Sequence, residues 1–197
     1  MPNWCANVVV IEATELEGAQ KLRQLENHLN DEGGLFEFFI PIPEELNNPL
    51  TGRFGGEDAE AIDALREELK EKYGFSGWYD FCIAKWGSKW DARIDDFYRD
   101  GDEVTIYFDT AWSPPIAFYQ TLFEEFNMKV KATFVEQGAN YIGYYVDGDY
   151  KDQEFVTDPY DEDNDDFSYS ECQDQYFEAF LDNCKYKDLL EPNNFGG

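Results

Sequence analysis

An Asp-Gly turn set between two tryptophan motifs constrains this chain more than any other feature. The runs Ile94–Tyr98 and Val104–Phe108 flank Arg99-Asp100-Gly101-Asp102. A glycine that can reverse the chain between two β-forming runs predicts an antiparallel hairpin. Ahead of it stands Trp86-Gly87-Ser88-Lys89-Trp90-Asp91-Ala92, and after it Phe108-Asp109-Thr110-Ala111-Trp112-Ser113-Pro114-Pro115. Both motifs flank the hairpin, so they can meet at one end of a sheet. Three of the five tryptophans lie in this stretch.

The remaining pattern is mixed. A β-branched run predicts a first strand over Ala6–Glu12. Thr14-Glu15-Leu16-Glu17 fits a capping box, with Thr14 as the cap. Leu16, Ala19, Leu22, Leu25 and Leu29 then recur at helical spacing. Leu35–Ile40 reads as a second strand, followed by a loop through Gly56. A helix starts at Asp58, its buried face marked by Ile62, Leu65 and Leu69. Trp78, Cys82 and Trp86, four apart, favour a short helix closed by Gly87. Ser113 can cap a helix whose first turn tolerates Pro114 and Pro115. Lys129–Val135 and Tyr141–Val146 form a last strand pair. Helices interspersed among hairpins on a mainly antiparallel sheet predict an α+β fold.

Charge is the strongest compositional constraint. The 197-residue chain has 43 acids against 15 basic residues, a formal net charge of −28. Such a field repels nucleic acid and anionic membranes and favours basic partners. Apolar residues make up 43 % of the chain, which is enough for a core. No run approaches the length of a membrane span, and the N-terminus has no basic region followed by an apolar segment. The expectation is a cytoplasmic protein with reduced thiols. One histidine and four scattered cysteines argue against a structural metal, and no cofactor is expected. The composition shifts at Asp147, and from that residue onward sixteen acids face three lysines. The expected division is a domain over 1–146 and an acidic extension over 147–197. Tyr176, Phe177, Phe180, Leu181 and Cys184 give the extension an amphipathic helix.

The pieces Met1-Pro2-Asn3-Trp4-Cys5, Trp86 to Ala92, Phe108 to Pro115 and Glu136-Gln137-Gly138 stand in that order. Together they resemble the YubB-type ferredoxin-like family found on bacteriophages and plasmids, over residues 1 to about 146. Lys85 stands where that family's pattern leads one to expect an asparagine. The resemblance implies a ferredoxin-like fold and a mobile-element origin, and it implies no reaction.

Two sets of residues are candidates for function. Trp86, Lys89, Trp90, Asp91, Asp109 and Trp112 could line a cleft for a nucleotide or another small molecule, with the two carboxylates as acid and base. The plainer alternative makes the tryptophans core, Asp109 a turn cap, and Asp91 a partner of Lys89 or Arg93. The second set is the acidic run Asp158, Asp161, Glu162, Asp163, Asp165 and Asp166, a surface for a basic partner. It departs from a calcium loop at Asp166 and Cys172, where glycine and glutamate are needed. A nucleophile–base pair for catalysis is missing, since His28 is the only histidine.

The leading expectation is a non-enzymatic, DNA-mimicking inhibitor. Its partner would be a basic host protein that handles nucleic acid: a restriction enzyme, a CRISPR effector or a nuclease. The protein itself would not bind nucleic acid. A small-molecule binder or enzyme built on the cleft, and an accessory structural protein, are the alternatives.

Overall fold

The computed structural model describes residues 3–52, 59–136, 138–154 and 184–190. Strand β1 (Trp4–Ala13) leads through helices α1 (Leu16–Asn30) and α2 (Leu35–Phe39) and a short 3-10 turn (Pro49–Gly52) to α3 (Ala59–Tyr73) and α4 (Trp78–Lys85). The hairpin β2 (Arg93–Asp100) and β3 (Glu103–Ala111) follows, then α5 (Ile116–Glu124), β4 (Met128–Glu136), β5 (Tyr141–Val146), β6 (Asp149–Glu154) and α6 (Lys187–Leu190).

The six strands form one sheet in the order β2-β3-β1-β4-β5-β6, every pair antiparallel. The unit β1-α1-β2-β3-α5-β4, with β1 and β3 central, is the ferredoxin-like arrangement. Strands β5 and β6 widen the sheet at one edge. Alternation along the strands sets the two faces. Val9, Ile11, Ile106 and Val130 point to one side, where they pack with Leu22 and Leu25 of α1, Phe36 of α2 and Phe118 of α5. The other side carries a smaller cluster of Val135, Ile142, Tyr144 and Val146, on which Leu190, Tyr186 and Cys184 lie.

Several local expectations are corrected. Leu35–Phe39 is a helical turn, not a strand. Leu35, Phe36 and Phe39 are buried, a helical spacing hidden in a run too short to reveal it. Thr14 does not cap α1: its hydroxyl donates to Asn127 O at 2.6 Å, and Glu15 holds the cap position without a side-chain bond. Ser113 does not cap α5 either, since Pro115 occupies that position. The sheet also runs past 146. Asp147 and Gly148 both have positive φ, 46° and 92°, and turn β5 directly into β6 with Val146 opposite Asp149. The expected boundary between 146 and 147 therefore falls inside a hairpin. Leu190 of α6 lies on the side away from the main core.

Candidate functional site

The loop between α4 and β2 alternates between burial and display. Trp86 is 3 % exposed, and its indole N–H donates to Ile40 O at 3.0 Å. Gly87 turns left-handed at φ +79°, and a Cβ there would stand 3.2 Å from Pro115 Cα and Ile116 N, so only glycine lets the loop lie this close to the start of α5. Ser88 is buried. Lys89 and Trp90 point outward. Asp91 turns back in and accepts from the backbone N–H of Phe36 (2.8 Å), Glu37 (2.9 Å) and Ala92 (2.7 Å). It thus caps α2 from 55 residues away. Gly34 leaves room for it, because a Cβ there would collide with the carboxylate.

The second motif ends β3 in an unusual turn. Trp112 has φ +65°, and the N–H of Ser113 donates to Ala111 O at 2.9 Å across it. That is a γ-turn of the rare, strained hand with a tryptophan at its centre. A left-handed backbone costs a bulky L-residue about 1–2 kcal/mol. Neighbouring groups fix the turn. Trp112 N–H donates to Asn3 O (2.9 Å), and Trp112 O accepts from the Tyr141 hydroxyl (2.9 Å). Thr110 Oγ1 donates to Ser113 O (2.7 Å), and the Ser113 hydroxyl reaches Gly87 O (3.3 Å). Behind them, Asn7 Nδ2 donates to Thr110 Oγ1 (2.9 Å) and Asn7 Oδ1 accepts from the Tyr119 hydroxyl (3.2 Å), all three residues being buried.

The two motifs meet at the surface. Trp90 and Trp112 stack with ring centroids 5.5 Å apart and planes at 29°, yet they stay 40 % and 48 % exposed. Lys89 Nζ stands 4.6 Å from the Trp90 centroid and 5.8 Å from that of Tyr79. Trp4, opposite Ala111 in the sheet, carries Arg93 over its ring at 5.1 Å. Arg93 in turn pairs with Asp109 at 2.9 Å. A groove of about 570 Å³ adjoins, lined by Thr51, Arg66, Trp78, Tyr79, Asp80 and Lys89.

The six residues expected to form one cleft are thus divided. Trp86 is core, Asp91 is a cap and Asp109 is the partner of Arg93, while Lys89, Trp90 and Trp112 share an exposed patch. The acidic run Asp158, Asp161, Glu162, Asp163, Asp165 and Asp166 lies outside the described residues, as does most of the expected amphipathic helix. Trp4, Tyr79 and Arg93 join the patch, although the expected cleft did not include them. Trp4 carried a signal, since it sits in the N-terminal motif and β1 is central.

Burial pushes the Asp91 carboxyl above the usual range, although three N–H donors oppose this. Burial raises Asp109 too; Asp95 adds to the shift and Arg93 opposes it. A raised folded value means that the native state takes up these protons before the unfolded chain does. The stabilisation from the two carboxyls is therefore present at low pH and lost as pH rises through their folded values. Neither has a histidine, thiol or hydroxyl among its hydrogen-bonding partners, and no group of three metal-ligating side chains occurs among the described residues. Burial also pushes the Cys5 thiol far up, and that of Cys82 up to about 12. No helix among the described residues is long and apolar enough to cross a membrane.

No curated protein matches this chain. A solved structure, the crystal structure of a protein api92 from Yersinia pseudotuberculosis, aligns with 81 % of this chain and 100 % of its own length, at 12 % identity and a TM-score of 0.39. Residues 85–179, which hold both tryptophan motifs, match the family model described as the ferredoxin-like domain in Api92-like protein, and a ferredoxin-like domain is what this chain contains.

Proposed function

We propose that this is a non-enzymatic, acidic binding protein of mobile-element type, akin to the YubB-type proteins it resembles. It works in the host cytoplasm and captures a basic host protein that itself grips nucleic acid, such as a restriction enzyme, a CRISPR effector or a nuclease. The observation that carries this reading is the net charge of −28 and what becomes of the cations. At least eight of the 15 basic side chains are engaged by the chain's own acids, among them Lys72 with Glu45, Arg99 with Glu26 and Lys129 with Glu12. That leaves a large excess of acids with no cation of the chain's own to neutralise them. They steer a basic groove toward the protein and repel phosphate. The exposed Trp90–Trp112 pair supplies the apolar contact that charge alone lacks.

The test is capture of host proteins on the immobilised chain. Bound proteins should elute as salt approaches about 1 M, where the screening length is about 3 Å, and added DNA should displace them. A partner that stays bound in high salt with its DNA alongside contradicts the reading.

A second reading is favoured by one observation, the groove beside Tyr79 and Lys89, whose size suits a small planar molecule. Saturable binding of a nucleotide that is lost in Lys89→Ala and Tyr79→Ala would support it.

A further inference from the structure

We infer that Trp112 is an arginine-docking point, the outer face of its ring receiving the guanidinium of a basic partner. The inference rests on the reading of the chain as an acidic binding protein and names the contact that such a partner makes.

Three observations carry it. First, neither the backbone nor the core calls for tryptophan at 112. The φ of +65° suits glycine or asparagine, and the side chain is 48 % exposed. The turn is fixed by Asn3, Thr110 and Tyr141, none of which needs the indole. A large ring held in an unfavourable conformation with its surface outside suits a contact outside the chain. Second, the ring is rigid. It stacks on Trp90, and the turn beneath it is tied at both of its peptide groups. Little freedom is lost on binding. Third, the patch already contains the chemistry. Trp4 carries Arg93 over its ring and Trp90 carries Lys89, whereas no cation stands over Trp112 among the described residues. With 43 acids against 15 basic residues, the cation for that ring comes from a partner drawn in by the field. Arginine suits it better than lysine because a flat, weakly hydrated guanidinium stacks on indole.

The experiment compares arginine-only and lysine-only peptides of equal length, titrated at one fixed salt concentration against wild type, Trp112→Gly and Trp90→Ala. Glycine fits the turn, so Trp112→Gly keeps its fold. The wild type should bind the arginine peptide about twofold to fivefold more tightly, up to the range that one exposed cation–ring contact gives. Trp112→Gly should lose this preference, the arginine peptide losing more affinity than the lysine peptide, and Trp90→Ala should weaken it. Equal affinity of the wild type for both peptides, or a preference that survives Trp112→Gly, overturns the docking point while leaving the acidic-binding reading intact. Absence of salt-sensitive binding to either peptide overturns both.

Discussion

Trp86 and Trp112 belong to adjoining motifs and approach the same end of the sheet, yet one is sealed in the core and the other is displayed. Trp86 gives its N–H to Ile40 O and packs on Phe36. Trp112 keeps nearly half its surface in solvent on a backbone that penalises it. The loop from Trp86 to Asp91 explains the contrast. Trp86 and Asp91 fasten the loop to α2, Gly87 sets it against the start of α5, and Lys89 and Trp90 are thereby presented beside Trp112. The interior half builds a platform, and the exposed half is what the platform holds up.

The largest expected effect is on the interior half. Trp86→Ala should cost about 3–5 kcal/mol, the usual range for deleting a buried aromatic ring, measured by denaturant unfolding. An effect near zero would mean that the two tryptophans are not different in kind. Asp91→Ala comes next. It leaves the N–H groups at the start of α2 without their acceptor, at a cost of about 1–3 kcal/mol. The gap between wild type and Asp91→Ala should widen as pH falls through the carboxylate range, because the folded wild type holds that proton more tightly than the unfolded chain does. A gap that narrows on acidification would show that the three hydrogen bonds outweigh burial. Tyr141→Phe removes the hydroxyl that donates to Trp112 O and lies beside the Cys5 thiol, and should cost about 1 kcal/mol. It should also loosen the Trp90–Trp112 stack, seen as a change in near-ultraviolet circular dichroism. Reactivity should follow the same division between inside and outside. Iodoacetamide near pH 8 should spare Cys5 and Cys82 in the native protein and label both after unfolding, because both are buried with raised thiol values. Rapid native labelling of Cys82 would place the loop behind Trp86 in motion.

Much of the platform was legible. The Asp100-Gly101 hairpin, the strands β1, β4 and β5 and the apolar stripes of α1 and α3 follow from the sequence pattern, and the prolines at 114 and 115 announce α5. The same Asp-Gly signal recurs at Asp147-Gly148, but the acidity of Asp149-Tyr150-Lys151-Asp152 masks the edge strand after it. Charge at an edge strand is a common protection against unwanted pairing, and here it reads as the start of a tail. Helix α2 was not legible because its cap comes from Asp91, far along the chain. The exposure of Trp112 was hidden for a related reason. A tryptophan after an apolar strand looks like core, and only the convergence of Asn3, Thr110 and Tyr141 fixes the turn that carries it outward. Asp91 and Asp109 look like a carboxylate pair in sequence, but three backbone amides claim one and an arginine claims the other.

The most direct measurement of the contrast is the unfolding free energy of Trp112→Gly beside that of wild type. Losing the ring stack removes about 0.5–1.5 kcal/mol, and relieving the left-handed turn returns about as much. The variant should therefore lie within about 1 kcal/mol of wild type with an unchanged denaturant slope. A loss of about 3 kcal/mol or more, matching Trp86→Ala, would contradict this account, because it would make Trp112 a part of the core.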